Sequence, residues 1–358
     1  MRIVILDNAS EIATIRKEWD ELAASSASAS IYNTSDHLLT AWRHLTPDGT
    51  RPWIVTVRAD DGELIAAVPL RFRRRPLETV LEWLVTRHVD RLGPLVRPGF
   101  EDPAWRLLLP EILSARWDQW SVAELERSSS LASALLTVAK EYPVRVTTSK
   151  PGEGMIVDLS GSWDGFLAAH KSFRRRLRRF EAAFPDHHID RFDRPDDVAA
   201  GLERYLAVTR RSWKYRSVGV SESEVVEGFY AELLPLLAVE GRTAVSILRV
   251  GDDDIAADIT HRFGSTAFMH SAVYADDWAD HSPGTLFTGL VLRDLMSTDL
   301  VAADFLTGYA DYVRPWASST ADVVTVTIAR STVRTRALDT ARAARAAVAG
   351  WRQGGGRA

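Results

Sequence analysis

Along this chain, short stretches in which apolar and polar residues alternate are separated by longer stretches with a helical apolar spacing. In the first half the spacing predicts helices over residues 12–22 and 35–44 and strands in "WIVTVRA" and "ELIAAVPLRFR". Asp60, Asp61 and Gly62 form the turn between those strands. "LEWLVT" and "SVAELE" predict further strands, with a helix over 104–113 between them. Pro151 and Gly152 mark residues 150–154 as a boundary between domains of 1–150 and 151–335. In the second domain "MIVDLS" reads as a strand, and Ser160 or Ser162 caps the helix that follows. Helices near 198–213 and 222–237 lead to three strands, "AVSILRV", "DIAADITHRF" and "TAFMHSAVY". The loop "ADDWADHSPG" then opens a helix over 285–296. A buried strand in "LVAADFLTG", a helical segment over 309–316 and a last strand in "DVVTVTIAR" complete the order. Residues 336–358 are rich in Ala, Arg and Gly and predict a disordered tail. The fold class is α+β, each half a mostly antiparallel sheet flanked by helices.

One predicted helix has an unusual polar face. In "KSFRRRLRRFEAAF", at about 100° per residue, Lys171, Arg174, Arg175 and Arg178 share one arc with Arg179 at its edge. Trp163, Phe166, Phe173, Leu177, Phe180 and Phe184 fall nearly opposite, so this is an amphipathic helix with a positive ridge. Like charges four apart destabilise an isolated helix by roughly 0.2–0.5 kcal/mol. A partner carrying phosphate or carboxylate suits such a ridge better than plain solvation.

Composition narrows the options. The net charge is −4, so nothing global draws the chain to nucleic acid or to an anionic membrane. There is no cysteine, which excludes disulfides, thiolate metal sites and a cysteine nucleophile, and fits a reducing cytoplasm. The start "MRIVILDNASEIATIRKEWDEL" reads as a strand and a helix rather than a signal peptide. No apolar run approaches the roughly 18 residues of a membrane span. His187 with His188 and the run Asp252 to Asp254 lack metal-ligand context, and the latter reads as a solvated hairpin turn. There is no P-loop, nucleophile-elbow serine or zinc signature.

Four segments occur in a telling order: "DLSGSWDGFLAAHKSFRRRLRR", "RRSWK", "AVYADDWADHSPGTLFTGLVL" and "DFLTGYADYVRPWAS". They resemble the GNAT-type domain of the CelD-like acetyltransferases, which are related to the FemABX group. "EWDELAASS", "LLTAWRHL" and "GELIAAVPL" extend the resemblance into the first half, to about residue 330 in all. It implies two GNAT-like halves, the first degenerate. Where relatives often read Tyr-Lys, this chain has Tyr312 and Val313.

The resemblance implies transfer of an acyl group from acyl-CoA or acetyl-CoA to an amine or hydroxyl of a small-molecule or peptide acceptor. No metal is called for. A pyrophosphate suits a helix N-terminus, where unpaired N–H groups and the helix dipole both favour an anion. Ser282, Pro283, Gly284, Thr285, Leu286 and Phe287 supply such a start, with Gly284 allowing close backbone approach. GNAT enzymes commonly assist thiolate release with a tyrosine after the following strand, where Tyr309 and Tyr312 both stand. For the amine's base the candidates are His270, before the loop, and Asp304, in an apolar strand where an unpaired charge is costly. His261 and Asp258 fall on opposite faces of their strand. Trp213 and Lys214, at the end of a helix, can wall the acceptor site, and Lys171, Arg174, Arg175 and Arg178 can hold an anionic donor or acceptor. Two other readings stay open: an aminoacyl transferase that binds charged tRNA along the basic helix, and a non-catalytic scaffold or sensor.

Overall fold

The computed structural model describes residues 1–27, 29–218, 220–307, 312–332 and 335, without the side chains of 150, 151, 217, 218 and 220–223. The predicted tail 336–358 lies outside them. The strands are β1 (Arg2–Leu6), β2 (Trp53–Arg58), β3 (Leu64–Arg75), β4 (Glu78–Trp83), β5 (Leu95–Val96), β6 (Gln119–Glu126), β7 (Val144–Asp158), β8 (His188–Phe192), β9 (Thr243–Val250), β10 (Asp253–Phe263), β11 (Thr266–Tyr274), β12 (Ala302–Asp304) and β13 (Ser319–Arg330). They form one sheet in the order β1-β2-β3-β4-β6-β13-β7-β12-β11-β10-β9-β8, with β5 against β3. Only β4–β6 and β11–β12 are parallel. The mixed α/β class with a mostly antiparallel sheet is as the sequence predicts.

The expected boundary at 150–154 is not a linker. It lies inside β7, a strand of 15 residues paired with β13 along its length. The register steps from Val323↔Gly152 to Thr325↔Ser149, so residues 150 and 151 form a bulge. A proline is tolerated there because a bulge leaves an unpaired backbone group. Because β13 pairs with both β6 and β7, the last described strand welds the two halves into one sheet.

The halves also share a core. Tyr32 and Leu38 from the first half are buried in one cluster with Phe229, Leu233 and Val245 from the second. The helix Val220–Val239 packs on the helix Ser35–Leu45, and Arg43 and His44 both bind Glu232 across that contact. The predicted helix over 12–22 is two helices, Ala9–Thr14 and Arg16–Ser25, separated at Ile15.

A smaller cluster lies beneath the basic helix, Lys171–Ala183. Ser162 caps the preceding short helix by accepting from Gly165 N at 3.1 Å, and His170 breaks the helical path between the two. Phe173, Leu177 and Phe180 are buried as the spacing predicts, with Phe173 edge-on to Trp316 at 5.1 Å. The helix Pro283–Leu295 admits Phe173 because residue 289 is glycine: a Cβ there would lie 2.1 Å from Phe173 Cζ. Gly289→Ala is therefore expected to lower the unfolding free energy by about 1–2 kcal/mol, although helix propensity alone favours alanine by about 1 kcal/mol. Urea denaturation reads the sign directly.

Candidate active site

The site begins where two strands part. β12 follows β11 for only three residue pairs, Thr266↔Ala302 to Phe268↔Asp304, and then turns away. The expected strand in "LVAADFLTG" is thus only Ala302–Asp304, and Leu306 turns the chain with φ 58°. Beyond Phe268, β11 continues without β12, leaving a strand edge that opens into a cavity of about 750 Å³. A bulge sharpens the split: the register of β11 on β10 skips His270, so Met269 and Ser271 face opposite sides of the sheet.

Many of the residues singled out from sequence meet in this cavity. Ser282, Pro283, Gly284, Thr285, Phe287, Trp213, Lys214, His270 and Tyr312 all line it. Ser282 adopts φ 54°, Pro283 starts the helix, and no side chain caps it. The N–H groups of Gly284 and Thr285 have no intrahelical partner, as at every helix start. An added Cβ on Gly284 would stand 3.2 Å from Tyr274 Cδ1, which makes this a tight cradle. Leu286 is the exception in the loop, pointing fully into the core.

Tyr312 lies beside Thr288, with 3.4 Å between the hydroxyl oxygens. Burial pushes its phenol above the ordinary value, so it stays protonated at neutral pH and can donate. Tyr309 lies outside the described residues. Trp213 and Lys214 begin the short helix Trp213–Val218 rather than ending one. Lys214 Nζ donates to the Ala272 carbonyl on β11 at 2.7 Å, and burial lowers its pKa.

The two proposed bases change roles. His270 reaches the cavity, but Tyr32 and Tyr230 bind its two ring nitrogens at 2.9 and 3.0 Å. One nitrogen donates and the other accepts, so neither is left for an amine. Burial and the neighbouring His261 hold the imidazole well below its ordinary pKa, in its neutral form. His270 therefore joins the halves rather than taking protons. Asp304 does not line the cavity. Its carboxylate pairs with the Arg91 guanidinium at 3.1 Å and accepts from Leu306 N at 2.7 Å, fixing the turn after β12.

The carboxylate that does line the cavity is Asp90, which sequence reading passed over. Burial and then the charge of Glu124 raise its pKa to about 6, against an opposing pull from Arg91. Its setting is strained: His88 and Arg91 on either side have φ 52° and 57°. Glu124 has φ 60°, in a bulge of β6 where it accepts from Arg91 N. With Ser282 and Leu306 these are all the positive-φ residues other than glycine among the described residues; Ser282 and Leu306 line the cavity, and His88 and Arg91 flank Asp90 in sequence. Such strain costs of order 1–3 kcal/mol each and is typical of functional sites. The one clue in the sequence was "TRHVDRLGP", a polar stretch with neither helical nor strand spacing.

Asp258 is fully buried, and burial raises its pKa to about 7 against a hydrogen bond from Thr260 and the charge of Lys214. The acidic turn is not simply solvated either. Asp253 receives Arg211 and Trp278 Nε1, and Asp254 receives Arg204 at two oxygens, leaving Asp252 exposed.

The basic ridge does not line the cavity. Lys171, Arg174, Arg175 and Arg178 lie on the outer side of their helix, with no ion pair among the described residues. Both ends of the helix touch the cavity's frame: His170 packs on Trp316, and Phe184 on Trp278 and His281.

Residues 169–314 match the family described as an acetyltransferase (GNAT) domain. Over those residues of the second half, the chain is similar to a GNAT domain. No curated protein is significantly similar to the chain in sequence. In fold it is similar to FemX, at 11% identity and TM-score 0.62, over 90% of this chain and 96% of that one. It is similar also to the C-terminal domain of a putative lysylphosphatidylglycerol synthetase from Agrobacterium fabrum, at 11% identity and TM-score 0.54, over 92% and 96%. L-PGS from Bacillus licheniformis gives 13% identity and TM-score 0.53, over 92% and 95%. At these identities the likeness is one of fold. Among the described residues no group could hold a metal ion, and no helix is long and apolar enough to cross a membrane.

Proposed function

We propose that this protein transfers an acyl group from an acyl-CoA thioester to the amine of a small molecule or peptide, by direct attack. The observation that carries this reading is the open edge of β11 facing an uncapped helix start across one cavity. The amides of Gly284 and Thr285 would hold the donor's phosphates, and the β11 edge its extended arm. Asp90 takes a proton from the incoming ammonium, and the freed nitrogen attacks the thioester carbonyl carbon. Tyr312 gives its phenolic proton to the sulfur as the carbon–sulfur bond breaks, the attacking nitrogen passes its second proton to the resulting phenolate, and Asp90 releases its proton to solvent. The ordered motifs "RRSWK" and "DFLTGYADYVRPWAS" favour the CelD-like branch of this class.

A second reading, aminoacyl transfer from a charged tRNA, is favoured by the unpaired basic ridge. One comparison separates the two. Acetyl-CoA and longer acyl-CoAs are expected to bind with dissociation constants of about 1 μM to 1 mM. Charged tRNA is expected to show no binding that falls steeply with salt. The reverse outcome replaces the first reading with the second.

A further inference from the structure

A smaller cavity of about 150 Å³ adjoins the main one. It is lined by Tyr205, Leu206, Tyr215, Val226 and Tyr230, and shares Lys214, Ser271 and Val273 with its larger neighbour. The two meet across β11. The helix start at Ser282 belongs with the cluster that buries Met269. Tyr205, Tyr230 and Val273 belong to the cluster on the other side, toward which the bulge at His270 turns Ser271. A donor held at Gly284 thus reaches the split in the sheet from one face, while the small cavity opens to it from the other.

Its chemistry is selective. The Tyr205 hydroxyl is bonded to Ser271 Oγ at 2.8 Å and that of Tyr230 to His270 Nε2 at 3.0 Å. What these residues offer a guest is ring surface rather than free hydroxyls. Arg210 is neutralised by Glu227 at 3.2 Å, and Lys214 Nζ is directed to the Ala272 carbonyl, which leaves the aromatic and aliphatic side chains as the main surface for a guest. An apolar cavity of about 150 Å³ takes a guest the size of benzene.

The geometry points to an acceptor subsite: the small cavity holds a compact apolar or aromatic group of the amine, whose nitrogen projects past Lys214 into the main cavity. The favoured acceptors are then arylalkylamines or amines with a similar apolar body, rather than sugars or acidic peptides. Its role as an acceptor subsite rests on the acyltransferase reading above, whereas the binding itself can be tested apart from it.

The probes are 2-phenylethylamine and ethylamine, titrated calorimetrically into the full-length protein. The wild type is expected to prefer 2-phenylethylamine by about ten-fold or more. Val226→Trp, which fills the cavity from the helix Val220–Val239, is expected to abolish that preference. Leu206→Trp, on the helix Val198–Arg210, is the second variant should the first not fold. In either, acetyl-CoA affinity stays within about two-fold, because neither residue lines the main cavity. Equal affinity for the two amines overturns the proposal. So does a preference that survives in a folded variant, or a change confined to the donor's acyl-chain selectivity. If the variants abolish a real preference but no acyl-CoA supports transfer, the subsite stands and the acyltransferase reading falls.

Discussion

Asp90→Asn is expected to lower the turnover number at pH 8 by about 10²–10⁴-fold, the usual contribution of a positioned base. The asparagine keeps the shape of the side chain but cannot accept the amine's proton. Donor affinity should change little, since the helix start at Ser282 is a different part of the cavity. The pH profile gives the sharper test. Only the ionised carboxylate is a base, so wild-type activity should rise with pH through about 6, where burial and Glu124 place Asp90. The variant should lack that limb.

Stability should move the other way. A carboxyl whose pKa is raised by folding binds its proton more tightly in the folded state, so folding loses stability as pH rises from about 4 to about 6. Asp90→Asn removes that loss. The variant should therefore gain stability relative to wild type across this window, while the two should show no pH-dependent difference below it. A rising limb that persists near pH 6 in the variant assigns the base to another group.

Gly284→Val is expected to raise the acyl-CoA dissociation constant by about 10–100-fold, matching the loss of one charge-assisted hydrogen bond. The first added carbon already lies 3.2 Å from the Tyr274 ring, and the branched side chain must displace either that ring or the helix start. Either movement takes the Gly284 and Thr285 amides away from a bound phosphate. Gly284→Ala, with a single tight contact, should fall between wild type and valine. Isothermal titration with acetyl-CoA measures all three. Unchanged affinity in the valine variant means that the phosphates bind elsewhere, with the basic ridge as the next surface to test.

The sequence was most readable where the information was local. The strands in "AVSILRV", "DIAADITHRF" and "TAFMHSAVY", the cap at Ser162 and the buried stripe Phe173, Leu177 and Phe180 need only neighbours a few residues away. The "HSPGTLF" turn carried its own chemistry in the same way, because a proline and a glycine at a helix start restrict the backbone whatever lies around them. Residues 150–154 misled for the converse reason. A Pro-Gly pair has the same local preferences in a linker as in a bulge, and the partner that makes it a strand, β13, begins at Ser319.

By itself the sequence determined most of the helices and strands, and the Ser-Pro-Gly start of the helix Pro283–Leu295. Those follow from dihedral preference and apolar spacing, which act over a few residues. Only the tertiary structure decided the acid–base chemistry. His270, plausible as a base on its strand, is quenched by Tyr32 and Tyr230, the first of them 238 positions away. Asp304 is neutralised by Arg91 from the other half, while Asp90, one residue earlier, is left in the cavity with a raised pKa. Proton affinity depends on burial and on charges within a few ångströms, and those are set by which distant strands and loops the fold brings together.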